Sequence, residues 1–164
     1  LKNMSNPLQK TKEIYKQRNK FKEKELKEFS ILYLVLNNLD IFRKKIELIS
    51  EITFSNEKMN QFKKKLIDYL ISEKFFDKKK LDIEDFEEKF KDTINLISAN
   101  APVKIIYKNK SENEIVLMFN EIVEEIKKID LSDKIQSLED KVSLNLDENL
   151  YSELLSLRNQ LKGG

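Results

Sequence analysis

The sequence predicts an all-α fold: a helical bundle followed by a long helix and a C-terminal antiparallel helical hairpin. Only two Gly and two Pro occur in 164 residues, too few for the turns that a β-sandwich or barrel needs at each strand connection. Lys, Glu and Leu are abundant, and all three favour helices. Apolar residues also recur at steps of three and four, which is the period of an amphipathic helix.

A central bundle helix is predicted over residues 26–36. Residues 10–27 carry many Lys and few apolar side chains, which is typical of a tether or a marginal helix. From Leu26 onward the helical positions are apolar on nearly all sides, and such a helix belongs in the centre of a bundle. The Asn37–Asn38 pair is predicted to end it.

Three shorter helices are predicted to complete the bundle. Asp40 can cap the first, which extends to about Ile49. Ser55 or Asn56 can cap the second, and Asp82 is predicted to begin the third. The apolar residues of the second helix are Met59, Phe62, Leu66, Tyr69 and Leu70, and those of the third are Phe86, Phe90, Ile94, Leu96 and Ile97.

Two connecting segments are predicted to lack regular structure. Phe75 and Phe76 lie at the frayed end of the second of these helices, and we expect both rings to fold back onto the core. Residues 99–110 contain Pro102 and a strand-like run, 103–107. One apolar run of that length cannot form a sheet, so we interpret the segment as a loop.

The last third of the chain carries two apolar stripes that are out of phase. The first consists of Ile115, Phe119, Ile122, Ile126 and Ile129, and the second of Leu131, Ile135, Leu138 and Val142. The stripes differ by about 200° around a helix. Either the helix breaks near residues 130–132, with Asp130 or Ser132 capping a restart, or it continues and faces a different partner.

A final helix is predicted after a turn at Asn145 and Asp147. Its inner side carries Leu150, Leu154, Leu157 and Leu161, so a short connection joins two amphipathic helices into an antiparallel hairpin.

Charge divides the chain into a basic front and an acidic rear. Residues 1–80 carry 20 Lys and Arg against 11 Asp and Glu, and residues 111–164 carry 6 against 12. Different partners for the two ends would explain this division, and so would solvated helix faces without a partner. We divide the chain into a basic linker or entry helix (1–24), a bundle (25–110) and the long helix with its hairpin (111–164).

The residues present do not indicate an enzyme. The chain has no Cys and no His, which excludes thiol chemistry, the commonest general base and the commonest zinc ligand. Its only Gly residues are 163 and 164, which excludes a Gly-rich phosphate loop. We interpret Glu84 and Glu88 as acids favoured near a helix N-terminus rather than as a divalent-cation site. No cofactor, metal or membrane association is therefore expected.

Two sets of residues are candidates for binding. Tyr151, Leu155 and Arg158 lie beside the hairpin stripe, and aromatic and Arg side chains are over-represented as interface anchors; internal hairpin contacts are the alternative for them. The full docking set is Tyr151, Leu154, Leu155, Arg158, Leu161 and Lys162. The second set, for an acidic tail or nucleic acid, is Lys20, Lys24 and Lys27. Glu residues are interleaved with these lysines, so a solvated linker helix also explains the second set.

This order of elements resembles the C-terminal domain of DnaG-type bacterial primases. In that family an all-apolar helix ends in an Asn-His-Pro-like turn, followed by a second helix, a Phe-Ser-Ser/Asn-like cap and a third helix. The corresponding stretches here are 29–38, 39–49, 54–56 and 59–70, and residues 115–161 resemble the family's tail, with an acidic turn at 145–148. Leu39 stands where the family has Pro, and no Trp opens the long helix.

The resemblance implies a non-catalytic domain of a longer primase in the bacterial cytoplasm. The domain would dock onto the N-terminal domains of the hexameric DnaB-type replicative helicase, mainly through the hairpin, and so couple primer synthesis to unwinding. In some members a basic patch also receives the acidic tail of single-stranded-DNA-binding protein. Three alternatives stay open: the N-terminal domain of a replicative helicase, a Lys-rich nucleic-acid-binding domain and a structural helical spacer.

Overall fold

The computed structural model describes residues 21–145 and 147–163. Within these residues the chain forms seven α-helices and three short 3-10 turns, with no strand, so the predicted all-α class is confirmed. The chain divides into two compact units, Leu1–Asn109 and Lys110–Gly164. Most of the predicted entry segment, residues 1–20, lies outside the described residues.

The first unit is built around one central helix. Its helices are α1 Glu23–Asn37, α2 Leu39–Arg43, α3 Ile46–Ser50, α4 Glu57–Ile71 and α5 Glu88–Asn100, and its 3-10 turns are Glu73–Phe75, Ile83–Asp85 and Pro102–Ile105. Between residues 28 and 36 of α1 every residue except Tyr33 is buried. α1 contacts α2, α5 and the last 3-10 turn, which places it at the centre of this unit, as its apolar sequence predicts.

The segment from residue 39 to 50 differs from the prediction. It forms two helices, α2 and α3, rather than one, because the chain turns at Lys44 and Lys45. Asp40 lies in the first turn of α2 and does not cap it; Asn38 precedes the helix instead. The side chain of Arg43, the last residue of α2, donates hydrogen bonds to carbonyl groups more than thirty residues further along the chain, and no local sequence pattern reveals such partners.

The connection between α3 and α4 is held by side chains from three positions. Glu28 Oε1 accepts hydrogen bonds from the backbone N–H and the hydroxyl of Ser55, both at 2.8 Å. The Asn60 side chain bonds the N–H and the carbonyl oxygen of Phe54, each at 2.9 Å. The buried Lys63 Nζ donates to the carbonyl oxygens of Ser50 and Ile52, at 3.0 and 2.6 Å. These side chains supply hydrogen-bond partners for the backbone of a non-helical connection in which Ile52 and Phe54 are buried.

The helix caps and the neighbouring residues Phe75 and Phe76 agree with the prediction in part. Asn56 caps α4 through its side chain, which accepts from the N–H of Lys58 at 2.8 Å. Asp82 caps the 3-10 turn Ile83–Asp85, and α5 begins only at Glu88. Phe75 is buried as expected, but the prediction is wrong for Phe76, which is 70% exposed. Adjacent residues in a tight turn project in different directions, so only one ring reaches the core.

The second unit consists of α6 Glu112–Leu144 and α7 Glu148–Gly163. Ser111 and Glu114 form a capping box, in which the Ser111 N–H and hydroxyl donate to Glu114 Oε2, both at 2.9 Å. The Ser111 backbone N–H, followed by the Lys110 ammonium and the Ser111 hydroxyl, lowers the pKa of Glu114 to about 2. α6 passes through residues 130–132 without a break, so of the two alternatives the continuous helix is correct.

Candidate docking surface on the C-terminal hairpin

The hairpin has a small apolar core of its own. Its buried members are Ile135 and Leu138 of α6 and Leu154 and Leu157 of α7, with Leu131, Val142 and Leu150 packed partly buried against them. This is the second apolar stripe of α6 meeting the inner side of α7. The prediction of an antiparallel hairpin joined by a short connection is therefore confirmed for these residues.

Two ion pairs join α6 and α7 across this core. Arg158 donates to Glu139 Oε1 through Nε at 3.2 Å and Nη2 at 2.5 Å, and Lys134 Nζ lies 2.9 Å from a Glu153 carboxylate oxygen. The entry to α7 is capped by Asp147, whose carboxylate accepts from the N–H of Asn149 at 2.8 Å. The backbone of α7 is thus fixed at its start and along its length, which orients its outer face.

The candidate docking residues separate into an exposed set and a buried one. Tyr151 is 51% exposed, Leu155 is 42% exposed and Leu161 is 39% exposed. Tyr151 and Leu155 are four residues apart and therefore share one helix face. Leu154 is 3% exposed and lies in the hairpin core, so it is withdrawn from the proposed contact set. Its role is to hold α7 against α6.

Arg158 and Lys162 continue the face that begins with Tyr151 and Leu155. Both are exposed on α7, at positions seven and eleven after Tyr151. The Arg158 guanidinium is already held by Glu139, so its charge is positioned before any partner arrives. A partner would meet an aromatic ring, a branched aliphatic side chain, the Arg158–Glu139 ion pair and the Lys162 cation along one side of the helix.

Leu144 is an exposed apolar residue that sequence reasoning missed. It is 86% exposed at the C-terminal end of α6. Its position two residues after Val142 takes it off the stripe that forms the hairpin core, and that spacing is the signal that predicts its exposure. Leu117, near the start of α6, is also exposed.

The basic candidates of the front segment are only partly described. Lys20 lies outside the described residues, and Lys24 and Lys27 lie near the start of α1. Lys27 Nζ lies 3.3 Å from a carboxylate oxygen of Glu23, one turn earlier. Burial raises the pKa of Glu28. The hydrogen bonds from the Ser55 hydroxyl and N–H and the charge of Lys24 lower it, each by a smaller amount. Lys24 therefore acts on a structural carboxylate of α1.

The acidic stretch from residue 82 to residue 88 is used for ion pairs. Asp85 accepts from Lys78, Glu88 lies 2.6 Å from Lys91, and Glu87 lies between Lys65 and Lys89 at 3.1 and 3.0 Å.

No group of three or more acids within residues 21–145 and 147–163 is arranged to hold a metal ion. None of the described helices is both long and apolar enough to cross a membrane. No protein-family model, curated protein or solved structure matches this chain.

Proposed function

We propose that this chain is the helicase-binding domain of a DnaG-type primase and that it docks on the N-terminal domains of the replicative helicase. The observation that carries the proposal is the outer face of α7, where Tyr151 and Leu155 are uncovered although the hairpin core behind them is complete. Large apolar side chains on an oriented helix are suited to fill pockets in a partner. The order of helices, which resembles that primase domain, is the reason for proposing the helicase as the partner.

The charge of the hairpin supports a protein partner. Residues 111–164 carry 6 Lys and Arg against 12 Asp and Glu, so nucleic acid would be repelled by this unit as a whole. A protein surface with an apolar centre and charged edges is the complementary match. In this proposal the hairpin supplies the contact and the preceding bundle modulates the helicase.

The test is a calorimetric titration with the N-terminal domain of the replicative helicase from the same genome. We expect the double variant Tyr151→Ala/Leu155→Ala to bind at least about tenfold more weakly, a loss of about 1.4 kcal/mol. Because both side chains are exposed, its helical content by circular dichroism should equal that of the wild type. Leu117→Ala, which removes an exposed leucine elsewhere on α6, is the matched control and should bind normally.

Two results would contradict this proposal. One is wild-type affinity for the double variant, which would remove the hairpin face from the contact. The other is no binding by the wild-type chain, which would favour a structural spacer or a domain of another replication protein.

A further inference from the structure

The loop after α4 is fixed to the rest of the first unit by five hydrogen bonds to or from its backbone. Arg43 donates to the carbonyl oxygens of Phe75, Phe76 (2.9 Å) and Lys78 (3.2 Å). The N–H of Leu39 donates to Lys79 at 2.8 Å, and the N–H of Leu81 donates to Leu36 at 2.9 Å. A loop held at so many points presents its side chains in a defined orientation without a partner.

Phe76 is the apolar side chain that this loop exposes. Its ring is 70% exposed, whereas that of Phe75 beside it is 6% exposed. The Arg43 guanidinium carbon lies 5.5 Å from the centre of the Phe76 ring, within the range of a cation–π contact. One face of the ring is thus supported by the guanidinium, and the rest of the ring faces solvent.

The surroundings of Phe76 are basic. Residues 43–45 and 73–80 together carry seven Lys and Arg against two acids. Asp85 and Asp82 neutralise Lys78 and Lys80. No acid among the described residues forms an ion pair with Lys44, Lys45 or Lys79. Lys74 lies over the Phe75 ring, 5.4 Å from its centre. Within the described part of the chain, three lysines of the segments that adjoin Phe76 therefore carry no ion pair.

We infer that this loop, residues 72–81 with the turn at Lys44 and Lys45, binds single-stranded nucleic acid. An unstacked base lies on the open side of the Phe76 ring, and the neighbouring phosphates contact Lys44, Lys45 and Lys79. Base stacking on an aromatic ring needs no pocket and tolerates any base. The site lies in the first unit and does not depend on the proposed helicase docking through α7.

The shape of the site favours a nucleic acid over an acidic peptide. An apolar peptide side chain needs a concave pocket to be covered by its partner. One open cleft of about 250 Å³ among the described residues of this unit is lined by residues of α1, α5 and the 81–83 segment, such as Asn37, Asp82 and Asn95, and Phe76 does not line that cleft. A flat exposed ring, with lysines in the segments that adjoin it, matches a flat base with its phosphates.

The binding test is fluorescence anisotropy of a labelled oligothymidine with the full chain at several salt concentrations. We expect saturable binding that weakens with salt, with a log–log slope of roughly −2 for three neutralised phosphates. Phe76→Ala should lower the affinity roughly fivefold or more. Phe76→Trp should retain binding and show quenching of its fluorescence as the base stacks. Ile71→Ala, which removes another exposed apolar side chain near the same loop, should bind like the wild type.

A charge-matched pair of variants tests the lysines. Lys44→Gln/Lys79→Gln should weaken binding and make the salt slope shallower, whereas Lys127→Gln/Lys128→Gln removes the same charge from α6 and should leave both unchanged. Equal losses of affinity in the two double lysine variants would overturn the site. So would no binding by the wild type or full affinity in Phe76→Ala. Equal affinity for a duplex of the same length would overturn base stacking. An acidic peptide that displaces the oligonucleotide and binds more tightly would assign the loop to a protein partner instead.

Discussion

Replacing Lys63 with Met should destabilise the first unit, because it removes the donor that holds the α3–α4 connection. The ammonium donates to the carbonyl oxygens of Ser50 and Ile52, and Met has no donor to replace it. A buried carbonyl group left without a partner costs about 1–3 kcal/mol. The Ser50 oxygen lies nearer to solvent and contributes less, because water can reach it.

A second effect partly offsets this loss. Burial, followed by the nearby Lys64 charge, lowers the pKa of Lys63, which means that the folded protein disfavours its charged form. Met removes that penalty, so we expect a net loss of about 1–3 kcal/mol in the free energy of unfolding. This would lower the urea midpoint by about 1 M for an m value of 1–3 kcal/mol/M.

Lys64→Met is the matched control for this measurement. Lys64 is the next residue of α4 and is exposed, so the same substitution changes the same helix and removes the same charge. Its effect on unfolding should stay within about 0.5 kcal/mol. Urea unfolding followed by circular dichroism at 222 nm compares the two variants. Equal midpoints for them would refute the reasoning that the ammonium stabilises the connection.

Two further predictions concern a titrating carboxyl group and the hairpin core. Because the pKa of Glu28 is raised above its usual 4.5, the folded state binds more protons near that pH, and the wild type loses stability as pH rises through the folded pKa. Glu28→Gln keeps the oxygen that accepts from Ser55, so its free energy of unfolding should improve relative to the wild type between pH 4.5 and pH 7 in urea titrations. If the difference in free energy of unfolding between this variant and the wild type stayed constant over that pH range, burial of the Glu28 charge would not be the cause. Leu154→Ala should lower the free energy of unfolding by about 2–5 kcal/mol and expose the hairpin amides to faster hydrogen exchange. Leu155→Ala should change neither quantity by much. Similar exchange rates in both variants would place Leu154 outside the core.

Local patterns were sufficient to predict the longer helices and the hairpin. The apolar residues of α1 and the Leu stripe of α7 have helical periods within single segments, so no knowledge of distant residues was needed. Asp147 and the turn before α7 follow the same logic, because a cap acts on the next few residues of the chain. The outer face of α7 was predictable for that reason, because it consists of the helix positions that do not belong to the inner Leu stripe.

Contacts between distant residues decided the features that the sequence did not reveal. The helix expected over 40–49 is interrupted next to Arg43, whose partners are carbonyl groups of residues 75–78. The direction of the Phe76 ring depends on the same contact. Lys63 belongs to a run of three lysines, and nothing in that run distinguishes the buried lysine from its exposed neighbour. Leu154 was assigned both to the inner stripe of the last helix and to the docking set, and its contact with α6 leaves it on the inner stripe only.

Among the described residues the hairpin core contains four buried side chains, and this small number has a consequence for binding. Elements with few buried contacts are the ones that open and close most often in the native state. A partner docked on Tyr151 and Leu155, as proposed above, would bind only the closed hairpin and so would also suppress these openings. At a partner concentration of 100 Kd this coupling adds about 2.7 kcal/mol to the stability of the closed form. Occupancy of the hairpin would then be readable as slower amide exchange throughout α7.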